Sequence, residues 1–148
     1  DILKAGGSAV DAAIAANAVL GLVEPTGNGI GGDLFALVHD PAAGTVVGLD
    51  ASGFAPRKLD VEALKARAAK AGGLDVGMDS VTIPGAVAGW EALHRRFGKL
   101  PLAKVLAPAV AHARAGFPVS PVIARGWAGN LRGFAGDGDA VQGAEWIA

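Results

Sequence analysis

The chain of 148 residues has no cysteine, no tyrosine and a single methionine. Without cysteine there are no disulfides, no thiolate metal ligands and no cysteine nucleophile, although this says little about compartment. Charge of either sign is not in excess: 13 Lys and Arg face 14 Asp and Glu, for a formal net charge of −1. That balance supplies no basic field for nucleic acid. The cations are scattered singly, so no polybasic membrane patch forms either. Apolar runs are short, as in Ala12–Ala16, against the roughly 20 residues a membrane-spanning helix needs. No signal-peptide pattern is visible. His39, His94 and His112 are dispersed without ligand spacing. They read as surface or hydrogen-bonding residues, with His94 and His112 on polar helix faces, and neither a metal nor an organic cofactor is expected.

What the chain has in quantity is small apolar residues. It is 51% hydrophobic and carries 23 glycines, which implies a packed, alanine-rich interior. Its length is near the mode for one domain, so residues 1–148 are treated as one unit. The opening "DILKAGG" has no initiator Met and reads as the last turn of a helix closed by Gly6. The expectation is a segment cut from a longer chain, which leaves the compartment open.

Ser8 and Asp11 have capping-box spacing and start a helix over about Ala9–Leu22, apolar nearly all round and so expected between layers. Glu24-Pro25 ends it. "LFALVH" (34–39) and "TVVGLD" (45–50), separated by Asp40-Pro41 and Gly44, read as a hairpin. Their near-continuous apolarity predicts strands covered on both faces. Asp60 caps a helix over 61–71, followed by an extended "SVTI" (80–83). Pro84 marks another helix start, with Ala86, Trp90, Leu93 and Phe97 on one buried face. A helix from Pro101 to Ala115 contains Pro108, which is expected to kink or split it. Ser120-Pro121 opens a last helix carrying Ile123, Trp127 and Leu131, and the tail from Gly136 is weakly patterned. Trp90 and Trp127 fit helix cores, and Arg95-Arg96 a solvated helix face.

Between the first helix and the hairpin lies "TGNGIGGD" (26–33). Gly27, Gly29 and Gly32 match G-x-G-x-x-G, and Asp50 lies near the position of a ribose-binding acid. A dinucleotide fingerprint, however, places its glycines between a strand and a following helix, whose N-terminus holds the pyrophosphate. Here a helix precedes and a strand follows, so the match is assigned to chance. Dense glycine is instead expected to supply positive φ or close backbone approach, and to shape the floor of a pocket at the strand edge. Asp33 is expected to cap this loop.

Longer stretches carry more information than any of these short motifs. "ILKAGGSAVDAAIAANAVLGLVEP", "GIGGDLFALVHDPAAGTVVGLDASGFAP", "TIPGAVAGWEALHRRFGKLP" and "LAPAVAHARAGFPVS" closely resemble the N-terminal part of γ-glutamyltranspeptidases, in the family's order, across about residues 2–120. The resemblance implies an α+β, N-terminal-nucleophile hydrolase fold, an αββα sandwich of which this chain is an incomplete N-terminal portion. It implies a precursor that cleaves itself into a large and a small subunit. The N-terminal Thr of the small subunit would attack γ-glutamyl amides such as glutathione, and water or an acceptor would resolve the acyl-enzyme. An N-terminal amine can activate such a hydroxyl, and donors must stabilise the oxyanion.

The resemblance makes this chain part of the large subunit, with no catalytic residue of its own. It begins with Asp1, and Thr26, Thr45 and Thr82 are internal. Its partner would be the C-terminal small-subunit chain carrying the Thr, and its ligand a small γ-glutamyl compound. One substrate-binding position carries over. Where many members read Asp-Phe-Arg-Glu-x-Ala-Pro, with the Arg on the donor's α-carboxylate, this chain reads Asp50-Ala51-Ser52-Gly53-Phe54-Ala55-Pro56. Ser52 offers one neutral hydrogen bond in place of a bidentate charged pair. Either another cation compensates, with Arg57 the nearest candidate, or the substrate lacks that carboxylate. The alternatives are an acylase of the same fold, a nucleotide-binding module using Gly27–Gly32, and a non-catalytic interaction domain.

Overall fold

The computed structural model describes residues 1–73 and 78–136. The order is α1 (Ala9–Val23), β1 (Leu34–Asp40), β2 (Thr45–Ala51), α2 (Val61–Ala71), a 3-10 turn (Met78–Ser80), α3 (Ala86–Phe97), α4 (Leu102–Ala115) and α5 (Pro121–Gly136). Residues 2–7 form the expected helical turn: Gly6 has φ +87°, and the Gly7 N–H reaches back to the Ile2 carbonyl at 3.0 Å. Leu131 is within α5, but its side chain and the tail beyond Gly136 lie outside the described residues.

Ser8 and Asp11 close a reciprocal capping box on α1. The helix buries one stripe, Val10, Asp11, Ile14, Ala15 and Ala18, whereas Leu20 is 43% exposed. A helix apolar all round is thus covered on one side here. Its buried stripe meets Trp90 and Leu93 of α3 and Val105 of α4, and Leu34, Ala36, Val38 and Leu49 of the hairpin pack against the same core.

β1 and β2 pair antiparallel from Leu34↔Ala51 to Asp40↔Thr45. Burial alternates along both strands, so one face is packed within the described residues and the other stands open. Phe35, Leu37 and Val46 stand on an open face at 67%, 82% and 63% exposure. The apolar run encodes two apolar faces, and the described residues cover one.

Three other expectations shift. α4 runs unbroken through Pro108. A proline deprives the carbonyl four residues back of its donor, here Lys104, which is exposed and open to hydration. α3 starts at Ala86 with Gly85 as N-cap, placing Pro84 just before the helix. Trp127 is 46% exposed while Ile123 is buried. The two are four residues, or about 6 Å along the helix axis, apart.

Candidate functional site

The strands, the glycine loop and the segment before α3 converge at one end of the hairpin. None of Gly27, Gly29, Gly31 or Gly32 adopts positive φ, and a Cβ at Gly29, Gly31 or Gly32 would meet nothing within 4 Å. The expected backbone demand is not located there. It falls at Gly53, with φ +79°, where a Cβ would overlap the Ile83 carbonyl oxygen, and at Gly85, where one would overlap the Ala51 carbonyl. The chain after β2 and the chain before α3 touch backbone to backbone, joined by the Ile83 N–H on the Phe54 carbonyl at 3.0 Å.

The glycine loop does line a cleft of about 1000 Å3 between α1 and β1, with Asn17, Trp90 and Leu93 also in its wall. The helix end nearest the loop is that of α3. Its Gly85 and Ala86 N–H groups both donate to the Gly32 carbonyl at 3.0 Å. Two of the donors that make a helix N-terminus an anion site are thus taken up by the loop itself.

Ser52 sits immediately after β2. Its N–H donates to Asp50 Oδ1 at 2.9 Å, closing a local turn. The Ser52 hydroxyl and then its N–H hold the Asp50 carboxyl below its ordinary value. The Ser52 carbonyl accepts from Thr82 Oγ1 at 3.3 Å, and the same hydroxyl lies 3.4 Å from Asp33 Oδ1. Asp33 therefore ties the start of β1 to residue 82 and does not cap the glycine loop as expected. Arg57 is exposed, five residues along the chain, and the hydrogen bonds described for Ser52 do not include it. Thr26 and Thr45 are exposed loop and strand-end residues.

Asp11 does more than close the capping box that its spacing from Ser8 predicts. Its side chain is fully buried, and Oδ2 accepts from the N–H groups of Ser8 at 2.9 Å, Lys99 at 2.9 Å and Leu100 at 3.2 Å. Burial pushes its carboxyl up, but the amides of Ser8, Lys99 and Leu100 outweigh this and hold it below the ordinary value. Oδ1 has no hydrogen-bond partner and lies 3.8 Å from His94 Nε2. His94 Nε2 is 2.6 Å from the Leu100 carbonyl, so the ring is part of the α3–α4 corner and not of a polar helix face. His39 and His112 are exposed. Arg95 pairs with Glu91, while Arg96 lies 3.9 Å from Asp40 and over the Phe97 ring. Among the described residues no group of three His, Asp or Glu side chains is placed to hold a metal, and no helix is long and apolar enough to cross a membrane.

A hairpin backed by helices, with one apolar face open, has the form of one part of a layered α+β fold. The family model for γ-glutamyltranspeptidase matches residues 1–145, and the chain belongs to that family. It is 38% identical over 120 residues to the glutathione hydrolase-like YwrD proenzyme of Bacillus subtilis, covering 80% of this chain and 22% of that protein. It is 35% identical over 124 residues to the glutathione hydrolase 5 proenzyme of Rattus norvegicus, covering 84% and 22%. Among solved structures, Helicobacter pylori γ-glutamyltranspeptidase superposes with TM-score 0.79 at 32% identity, covering 90% of this chain and 39% of that one. Cephalosporin acylase from Bacillus halodurans gives 0.80 at 44% identity, covering 96% and 26%. The fold is that of the N-terminal-nucleophile hydrolases, and the chain spans about a fifth of the length of those two curated relatives.

Proposed function

We propose that the parent protein is a self-processing, γ-glutamyltransferase-like enzyme to which this chain contributes part of the large subunit. The Thr nucleophile lies outside this chain, on a C-terminal small-subunit partner. Its hydroxyl, deprotonated by the chain-terminal amine, attacks the amide carbonyl of the donor. The carbonyl becomes an oxyanion, the C–N bond breaks, and the amine leaves with a proton. Water or an acceptor amine then attacks the ester and releases the acyl group. The family match across residues 1–145 is the observation that carries this reading, and γ-glutamyl amides such as glutathione are the first donors it indicates. Ser52, and with less support Arg57, are the positions through which this chain meets the donor.

A second reading, an acylase of the same fold, is favoured by Ser52 at the family's Arg position and by the 44% identity to a cephalosporin acylase. The intact mass of the protein expressed from the complete gene tests what both readings share. Two chains, the smaller beginning with Thr, support self-processing. A single uncut chain removes the catalytic reading and leaves a non-catalytic interaction domain. Amine release from a γ-glutamyl anilide by the processed protein then separates the two donors.

A further inference from the structure

A side-chain amide is chemically stable in a protein unless the next backbone nitrogen can reach its carbonyl carbon. A Cβ on the next residue crowds that approach, and glycine has none and rotates freely. The chain has three asparagines, Asn17, Asn28 and Asn130, and Asn28 alone is followed by glycine. Asn17 is inside α1, where the following N–H belongs to the helical ladder, and its Oδ1 accepts the Trp90 indole N–H at 2.8 Å.

Asn28 is in the glycine loop, half-buried, and Gly29 after it is exposed. Among the described residues the Gly29 N–H has no acceptor, and a Cβ at Gly29 would meet nothing within 4 Å. The attacking nitrogen is therefore unbonded and unobstructed. The leaving group is not. Asn28 Nδ2 donates to the Glu24 carboxylate, and to the Glu24 carbonyl at 3.4 Å. Glu24 is the C-cap of α1, its own N–H on the Leu20 carbonyl. Gly29 Cα stands against Gly21 of the same helix, where a Cβ would come within 3.6 Å of it. One amide thus fastens the loop to the end of α1, and the same amide is the group that the neighbouring backbone nitrogen can displace.

We propose that Asn28–Gly29 is a site of spontaneous deamidation restrained by Glu24, and that the conversion releases the glycine loop from α1. The Gly29 nitrogen gives up its proton and bonds to Asn28 Cγ. The Cγ–Nδ2 bond breaks, and Nδ2 leaves as ammonia carrying one further proton from solvent. Water opens the cyclic imide at either carbonyl, leaving aspartate or isoaspartate. The donor to Glu24 is then gone, and a second carboxylate faces the first, so attraction becomes repulsion. Asn28 and Gly29 line the cleft between α1 and β1, so the change alters the wall of that cleft. The inference does not depend on which donor the parent protein cleaves.

The test is peptide mapping by mass spectrometry of the complete protein after incubation in neutral and mildly alkaline buffer. Position 28 is expected to convert at least about tenfold faster than Asn17 in the same sample, with isoaspartate beside aspartate. Gly29→Ala, which has room for its methyl group, should slow the conversion to the Asn17 level. Glu24→Ala should speed it. Asn28→Asp, which puts the product in place from the start, should lower Tm, and Glu24→Gln added to it should recover part of the loss. Equal conversion at Asn28 and Asn17, or a rate unmoved by Gly29→Ala, overturns the site. A rate unmoved by Glu24→Ala overturns the restraint, and an unchanged Tm in Asn28→Asp overturns the release of the loop.

Discussion

Asp11 Oδ2 of α1 accepts the Lys99 N–H at 2.9 Å across 88 positions of sequence, so one buried carboxylate caps its own helix and pins the corner between α3 and α4. The acid limb of stability should show this. The Asp11 carboxyl is held below its ordinary value of 3.8, so it contributes stability above the unfolded-state value and loses it as pH falls through the lower folded value. Asp11→Asn should remove that dependence and cost roughly 1.5–3 kcal/mol near neutral pH, as for a lost hydrogen bond to a charged group. Denaturant melts of the two proteins between pH 2 and 7 check it. Parallel pH profiles would contradict the assignment.

Trp90 Nε1 donates to Asn17 Oδ1 at 2.8 Å, and Trp90 is only 6% exposed. Asn17→Leu leaves the buried indole N–H without an acceptor, which costs about 1–3 kcal/mol. Trp90→Phe in the same background removes the orphaned donor and should recover part of the loss. A double-mutant cycle by thermal denaturation measures the coupling, and strict additivity would count against the bond.

Gly53 and Gly31 make a contrasting pair. Gly53→Ala forces a left-handed backbone on a residue with a Cβ, at about 1–2 kcal/mol, and adds the overlap with the Ile83 carbonyl. It should impair folding or processing. Gly31→Ala meets open space at an ordinary φ and should be tolerated. Soluble yield and Tm of the two variants decide the comparison, and equal tolerance would sink it.

The open face of the hairpin should make the chain associate when it is expressed without the rest of the protein, because contiguous exposed apolar surface favours contacts between molecules. Phe35, Leu37 and Val46 are all more than half exposed. Leu37→Glu with Val46→Lys should reduce association in sedimentation velocity. A monomeric wild-type segment would contradict the prediction.

How legible each part was depends on the range of the forces involved. Element positions were readable because caps and turns are local. Ser8 with Asp11, Asp60 before α2, and Gly44 in the hairpin act within a few residues, and α2 falls on the expected span. Trp90, Leu93 and Phe97 share a face by helical period alone, and the first two are in the core with Phe97 packed against it. The glycines misled because composition does not say which of them needs its missing side chain. That need arose at Gly53 and Gly85, where two segments about thirty residues apart press backbone on backbone. His94 misled for the same reason: helical period put it on a polar face, but its partners come from Leu100 and Asp11.

By itself, then, the sequence determined the helices, the hairpin and the family, since these are written in local propensity and in long collinear stretches of residues. Tertiary structure alone decided that Asp11 is a buried tie, that the Gly85 and Ala86 amides are on the Gly32 carbonyl, and that the Ser52 N–H is on its own Asp50. Each is a contact between groups whose distance is set by packing, which no local pattern encodes.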